Sequence, residues 1–142
     1  MIVRFWRAEE IPLDRIKYTV VAARHDGKWV YVQHKKRDTW EMPGGHRDAH
    51  ETAEEAAARE LYEETGAMEF SLRQLGAYSV HTDLEVTYGA LFVAEIKTFA
   101  ELPDYEIARV EFFSEIPQQL TYPEILTQLH DYVELHGGKE QP

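Results

Sequence analysis

The chain has 142 residues and carries 15 Lys and Arg against 26 Asp and Glu, a net charge of −11. That length suits one domain, residues 1–142, since a domain usually takes about 100–200 residues. The absence of cysteine excludes a disulfide framework, a thiolate nucleophile and a Cys-type zinc site, and the acidity argues against a non-specific grip on long nucleic acid.

Met1 to Glu10 has no charged-then-apolar export pattern and no apolar run approaches the ~18 residues of a membrane span, so a cytoplasmic protein with no membrane contact is expected. A short strand is predicted over Ile2 to Arg7. Ile16 to Arg24 and Lys28 to Lys36 are rich in β-branched and aromatic residues, and Asp26-Gly27 between them signals a hairpin. Met42-Pro43-Gly44-Gly45 reads as a break in which no regular element runs. A helix fits Ala53 to Thr65, opened by the capping-box pair Thr52 and Glu55 and closed by Gly66. Phe70 to His81 and Glu85 to Lys97 read as a second strand pair, and Ile107 to Phe113 as one more strand. Ile125, Leu129, Tyr132 and Val133 recur at helical spacing in Pro123 to His136, with Pro123 in the first turn. Gly137 to Pro142 reads as a loose tail. This order suggests a mixed sheet with helices packed on it.

Six glutamates and one arginine fall between Glu51 and Glu64, a charge of −5 in 14 residues. On a helical wheel with Glu60 at zero, Glu64 falls at roughly 40° and Glu63 at roughly 300°, among Ala53, Ala56, Ala57 and Leu61. Arg59, Glu55 and Tyr62 fall on the other side. The wheel thus puts three carboxylates where a helix ordinarily faces its sheet. Burying them as anions is costly, and either protons or a hard divalent cation must neutralise them. A merely solvated, Glu-rich helix with routine i,i+4 pairing is the competing interpretation.

Gly45 to Ala67 reads GHRDAHETAEEAAARELYEETGA. This resembles the box of the Nudix hydrolases, of the MutT-like kind. Gly45, Glu51, Arg59, Glu60, Glu63, Glu64 and Gly66 stand at its fixed positions, and Leu61 fills an aliphatic slot. Ala67 is smaller than usual in the second aliphatic slot. His50 stands where the family often has Gly, which predicts an altered loop, with His50 as a ligand or base the alternative.

The resemblance implies an α+β fold, an α/β/α sandwich with helices on both sides of a mixed sheet. It implies Mg²⁺-dependent (or Mn²⁺-dependent) attack of water on a pyrophosphate bond in a nucleoside diphosphate linked to another group. Carried over residue by residue, Glu60 and Glu64 are metal ligands, and Glu63 binds a further ion or helps activate water. The Gly44 carbonyl completes a metal shell, Arg59 orients a carboxylate, and Glu51 touches metal indirectly. A further glutamate from a distant loop is expected as base or ligand; Glu106 is the choice, with Glu111 and Glu85 as alternatives.

His34-Lys35-Lys36-Arg37 and Arg47 are candidates for substrate phosphate, against the simpler reading of a solvated hairpin end. Trp40, Trp6, Tyr78 and Tyr88 are candidates to stack a base, though each also suits a core. His25, His46, His81, His130 and His136 show no ligand spacing and read as surface residues. The small size resembles the triphosphate pyrophosphatases most, so a (d)NTP-type nucleotide, oxidised forms included, is the expected substrate. Other nucleotide-linked pyrophosphates, such as ADP-ribose, nucleotide sugars or dinucleotides, and a nucleotide-sensing domain without catalysis are the alternatives. A homodimer agrees with the resemblance and with the frequency of symmetric oligomers.

Overall fold

The computed structural model describes residues 1–137. Strand β1 is Ile2–Trp6, and two short 3₁₀ turns, Ala8–Glu10 and Leu13–Arg15, lead to β2, Ile16–His25. Then come β3 (Lys28–His34), β4 (Gly44–His46), α1 (Ala53–Thr65), β5 (Ala67–His81), β6 (Val86–Phe99), β7 (Ile107–Phe113) and α2 (Pro123–His136). The loose tail expected from Gly137 lies, beyond that residue, outside the described residues.

The main sheet runs in the order β1-β5-β6-β2-β3-β7, with β4 added on β2. β2 pairs with β6 in parallel; the other pairs are antiparallel. One edge of β2 is divided between two strands. Tyr18, Thr19 and Val20 pair with β4, whereas Ala23, Arg24 and His25 pair with β3. The sheet therefore forks along β2.

Alternation in the strands separates two cores, as a period of two requires. Val21, Ala23, Ala90 and Phe92 meet Ala57 and Leu61 of α1. Ala22, Trp29, Tyr31 and Leu91 meet Leu126, Leu129 and Val133 of α2. One helix thus covers each face, the sandwich the box resemblance implies.

Local chemistry explains most elements. Asp26 and Gly27 both have positive φ (50° and 79°), the conformation of the tight hairpin turn. On α1, the Thr52 hydroxyl accepts from the Glu55 N–H while the Glu55 carboxylate accepts from the Thr52 N–H. Gly66, at φ 79°, ends that helix.

Some expectations change. Met42 to Gly45 is not a continuous break, because Gly44–His46 forms β4. A Cβ on Gly44 would collide with the Thr19 carbonyl, so the missing side chain lets this segment lie against β2. β3 stops at His34, with Lys35 and Lys36 in the turn that follows. The long hairpin starts at Ala67 and ends at Phe99, and register shifts near Glu69 and Gln74 absorb its irregularities.

Candidate functional site

α1 presents its carboxylates as the wheel requires. The Glu64 residue is 7 % exposed, and its Oε1 accepts from the Gly44 N–H at 2.9 Å. Glu60 is largely buried against β4; a Cβ on Gly45 would overlap its carboxylate. Glu63 is more open. Burial, with Glu64 and Glu60 further opposed by neighbouring carboxylates, pushes both upward: Glu64 to about 8 and Glu60 to about 7. The N–H of Gly44 and the guanidinium of Arg59 offset only part of that rise.

Arg59 departs from its place on the wheel. Its long side chain reaches back over the start of the helix, and its Nε and Nη2 donate to both oxygens of Glu51 at 2.7 and 2.9 Å. Nη2 also donates to the His46 carbonyl, and Nη1 lies 3.4 Å from Glu63 and 3.6 Å from Glu60. The fork holds the Glu51 carboxyl down at about 2. With the Asp48 N–H also on Glu51, both of its oxygens are taken, so this carboxylate holds Arg59 in place as the structure stands.

A cleft of about 1150 Å³ opens at the fork of the sheet. Gly44, Gly45, Glu60, Glu63, Glu64 and Arg59 form one wall, Tyr18, Val20, Tyr78 and Val80 line the sheet, and Tyr122, Ile125, Leu126 and Leu129 come from the α2 side. Its rim carries His34, Lys35, Lys36, Arg37, Tyr105 and Glu106. Among the described residues Lys36 has no ion pair, while Arg37 lies 3.2 Å from Glu41 and its Nη1 donates to the Tyr122 hydroxyl at 3.4 Å.

Other expected site residues lie elsewhere. Trp40 packs edge-on against Phe113 with Arg109 over its ring, off the cleft. Arg47 spends its guanidinium on the backbone carbonyls of Leu13, Ile16, Asp48, Ala49 and Glu51, pinning the loop before α1, and does not line the cleft. Tyr78 lines the cleft but is buried over Gly89, a floor rather than a free stacking face. Trp6 donates to Ser79, and Tyr88 sits under Arg15. Glu85 and Glu111 do not line the cleft. His50 has no positive φ, so the loop accepts it without strain. His130 is buried, not on the surface, because it falls beside Leu129 on the inner face of α2.

Two residues beyond the box join the site. Glu41, mostly buried, lines the cleft and raises the Glu64 carboxyl. His34, one of the basic run, stands among carboxylates: 3.6 Å from Glu41, 3.8 Å from Glu64 and 3.7 Å from Glu106. A Glu two residues before Pro43 was the available signal for Glu41, but a lone carboxylate in a turn points to nothing by itself.

The all-oxygen donor set and the buried, mutually repelling Glu60 and Glu64 fit a hard divalent cation. Among the described residues no three His, Cys, Asp or Glu side chains already converge at binding geometry.

The comparisons with known proteins agree with this geometry. The NUDIX domain family model matches residues 14–132. A Bacillus subtilis (strain 168) protein whose name gives it as an 8-oxo-dGTP diphosphatase, YtkD, is 38 % identical over 109 residues, covering 76 % of this chain and 68 % of that protein. An RNA pyrophosphohydrolase of Stenotrophomonas maltophilia (strain K279a) is 40 % identical over 58 residues, 41 % of this chain but only 28 % of that protein. The crystal structure of the Bacillus subtilis pyrophosphohydrolase BsRppH superposes with a TM-score of 0.80 at 28 % identity, covering 97 % of this chain and 93 % of that one. With the box intact on a buried helix face beside the cleft, the chain belongs to the NUDIX family and is a Nudix pyrophosphohydrolase, a hydrolase of phosphoric anhydrides.

Proposed function

We propose that this protein uses Mg²⁺ (Mn²⁺ serving in its place) to hydrolyse a pyrophosphate bond of a (d)NTP-type nucleotide, 8-oxo-dGTP among the candidates. The observation that carries this reading is the pair Glu60 and Glu64, buried at the cleft wall with carboxyls pushed up to about 7 and about 8. Such groups gain most from a cation, and the same cation offsets the charge of substrate phosphates. Glu60, Glu64 and the Gly44 carbonyl would hold it, and Glu63 would hold a second ion or help draw the proton from the attacking water. Glu106 at the rim is the further base or ligand. Arg59, fixed by Glu51, steadies Glu63 and Glu60. Lys36 and Arg37 meet the outer phosphates. The relative whose name gives it as an 8-oxo-dGTP diphosphatase supports the substrate class.

A triphosphorylated RNA 5′ end is the second reading. Exposed Tyr105 and Tyr122 stand at the rim with Lys36 and Arg37, the pairing of aromatic and cation that a following nucleotide would use. Relatives named RNA pyrophosphohydrolase match 58 residues of this chain at 40 % identity.

The test is a panel of nucleotides and a triphosphorylated oligonucleotide, with products identified, with Mg²⁺ and after chelation. Turnover should vanish on chelation. Glu64→Gln should cost several kcal/mol of barrier, roughly a hundredfold or more in kcat at about 1.4 kcal/mol per tenfold. Turnover that survives both would refute the mechanism; the better substrate in the panel decides between the two readings.

A further inference from the structure

His34 ends β3, and the strand pairing there is irregular. Gln33 pairs with Arg109, but His34 pairs with Ile107, so Ala108 is the extra residue of a bulge. Bulges next to active sites re-aim side chains. Here the imidazole lies with three carboxylates from three separate elements around it. Nδ1 is 3.7 Å from Glu106, on the loop before β7. Nε2 is 3.6 Å from Glu41, after β3, and 3.8 Å from Glu64 on α1. Each ring nitrogen thus has a carboxylate oxygen within ion-pair range.

Glu106 needs such a partner. Its side chain is 81 % exposed, and Glu60 and Glu64 lie near enough to repel it. Its backbone is tied, since the Lys35 N–H donates to the Glu106 carbonyl at 2.8 Å and the Lys35 Nζ to Asp104 at 2.8 Å. Those bonds fix the loop but not the carboxylate. Among the described residues, His34 is the one side chain within ion-pair range of it.

We infer that His34 is a positioning residue: it holds the Glu106 carboxylate over the α1 glutamates and so couples the rim loop to the reaction centre. This rests on the role proposed for Glu106. It accounts for a half-buried histidine set among acids, where substrate phosphate would have to compete with three carboxylates for its N–H.

The experiment is a double-mutant cycle in saturating Mg²⁺, with kcat and KM measured for His34→Ala, His34→Asn, Glu106→Gln and the double variant His34→Ala/Glu106→Gln. His34→Ala should lower kcat by roughly ten- to hundredfold, as loss of an orienting partner does, with KM changed by less than about twofold. His34→Asn, whose amide falls near the Nδ1 position, should recover most of that loss. The double variant should be no slower than Glu106→Gln. If Glu106→Gln leaves kcat unchanged, the role of Glu106 fails and takes this inference with it. If Glu106→Gln slows the enzyme but His34→Ala does not, or the two losses multiply, or Asn rescues nothing, the inference fails and the role of Glu106 stands.

Discussion

A methyl group at Gly45 would land on the Glu60 carboxylate, while one at Gly44 would land on the Thr19 carbonyl. These neighbouring glycines therefore fail differently when replaced. Gly45→Ala displaces the end of a flexible side chain. It should lower kcat by roughly a hundredfold, as small misplacements of reacting groups do, while stability stays within about 1 kcal/mol. Gly44→Ala forces backbone apart and should cost roughly 1–3 kcal/mol of unfolding free energy. Steady-state rates and urea unfolding on both variants check the contrast. At this scale the box glutamates were readable because their spacing on one helix is local. The fates of Arg47 and Trp40 were not, since their partners Leu13, Ile16 and Phe113 come from distant parts of the chain.

Helix α2 was readable as an element, from the spacing of Leu129 and Val133, but the state of its histidine was not. His130 is 3 % exposed; its Nδ1 lies 3.2 Å from the Tyr31 hydroxyl, its Nε2 3.5 Å from Glu134, and its ring edge-on to Trp29. Burial holds its pKa below the ordinary value; Glu134 and Asp131 act upward, and Arg24 acts downward with burial. A histidine whose folded pKa is depressed contributes stability that is present above its unfolded pKa of about 6.5 and is lost as pH falls below it. Glu60 and Glu64, whose carboxyls are pushed up to about 7 and about 8, act in the opposite sense over this range and are common to parent and variant, so His130 is read as a difference. The parent's urea midpoint should exceed that of His130→Gln by more at pH 7.5 than at pH 5.5. An equal slope in both proteins would assign the acid sensitivity to other groups.

The whole molecule carries −11, and part of that charge is turned inward at the fork of the sheet. A divalent cation that binds the native state alone stabilises it by mass action, about 2.7 kcal/mol at a concentration 100 times its Kd. Thermal melts should rise with Mg²⁺ at matched ionic strength, fall back with chelator, and respond much less in Glu64→Gln. An equal rise with monovalent salt would mean general screening instead.

Short-range chemistry specified the hairpin at Asp26-Gly27, the capped helix from Ala53 to Thr65 and the face on which it carries Glu60, Glu63 and Glu64. Each depends on residues no more than a few positions apart, so turn and helix periodicities expose it. The parallel pairing of β2 with β6, the seat of β4 on β2 and the gathering of His34, Glu41, Glu64 and Glu106 became visible only in three dimensions. They join segments tens of residues apart through register, a bulge and shared burial, and no local pattern encodes which strand a chain will meet when it folds back.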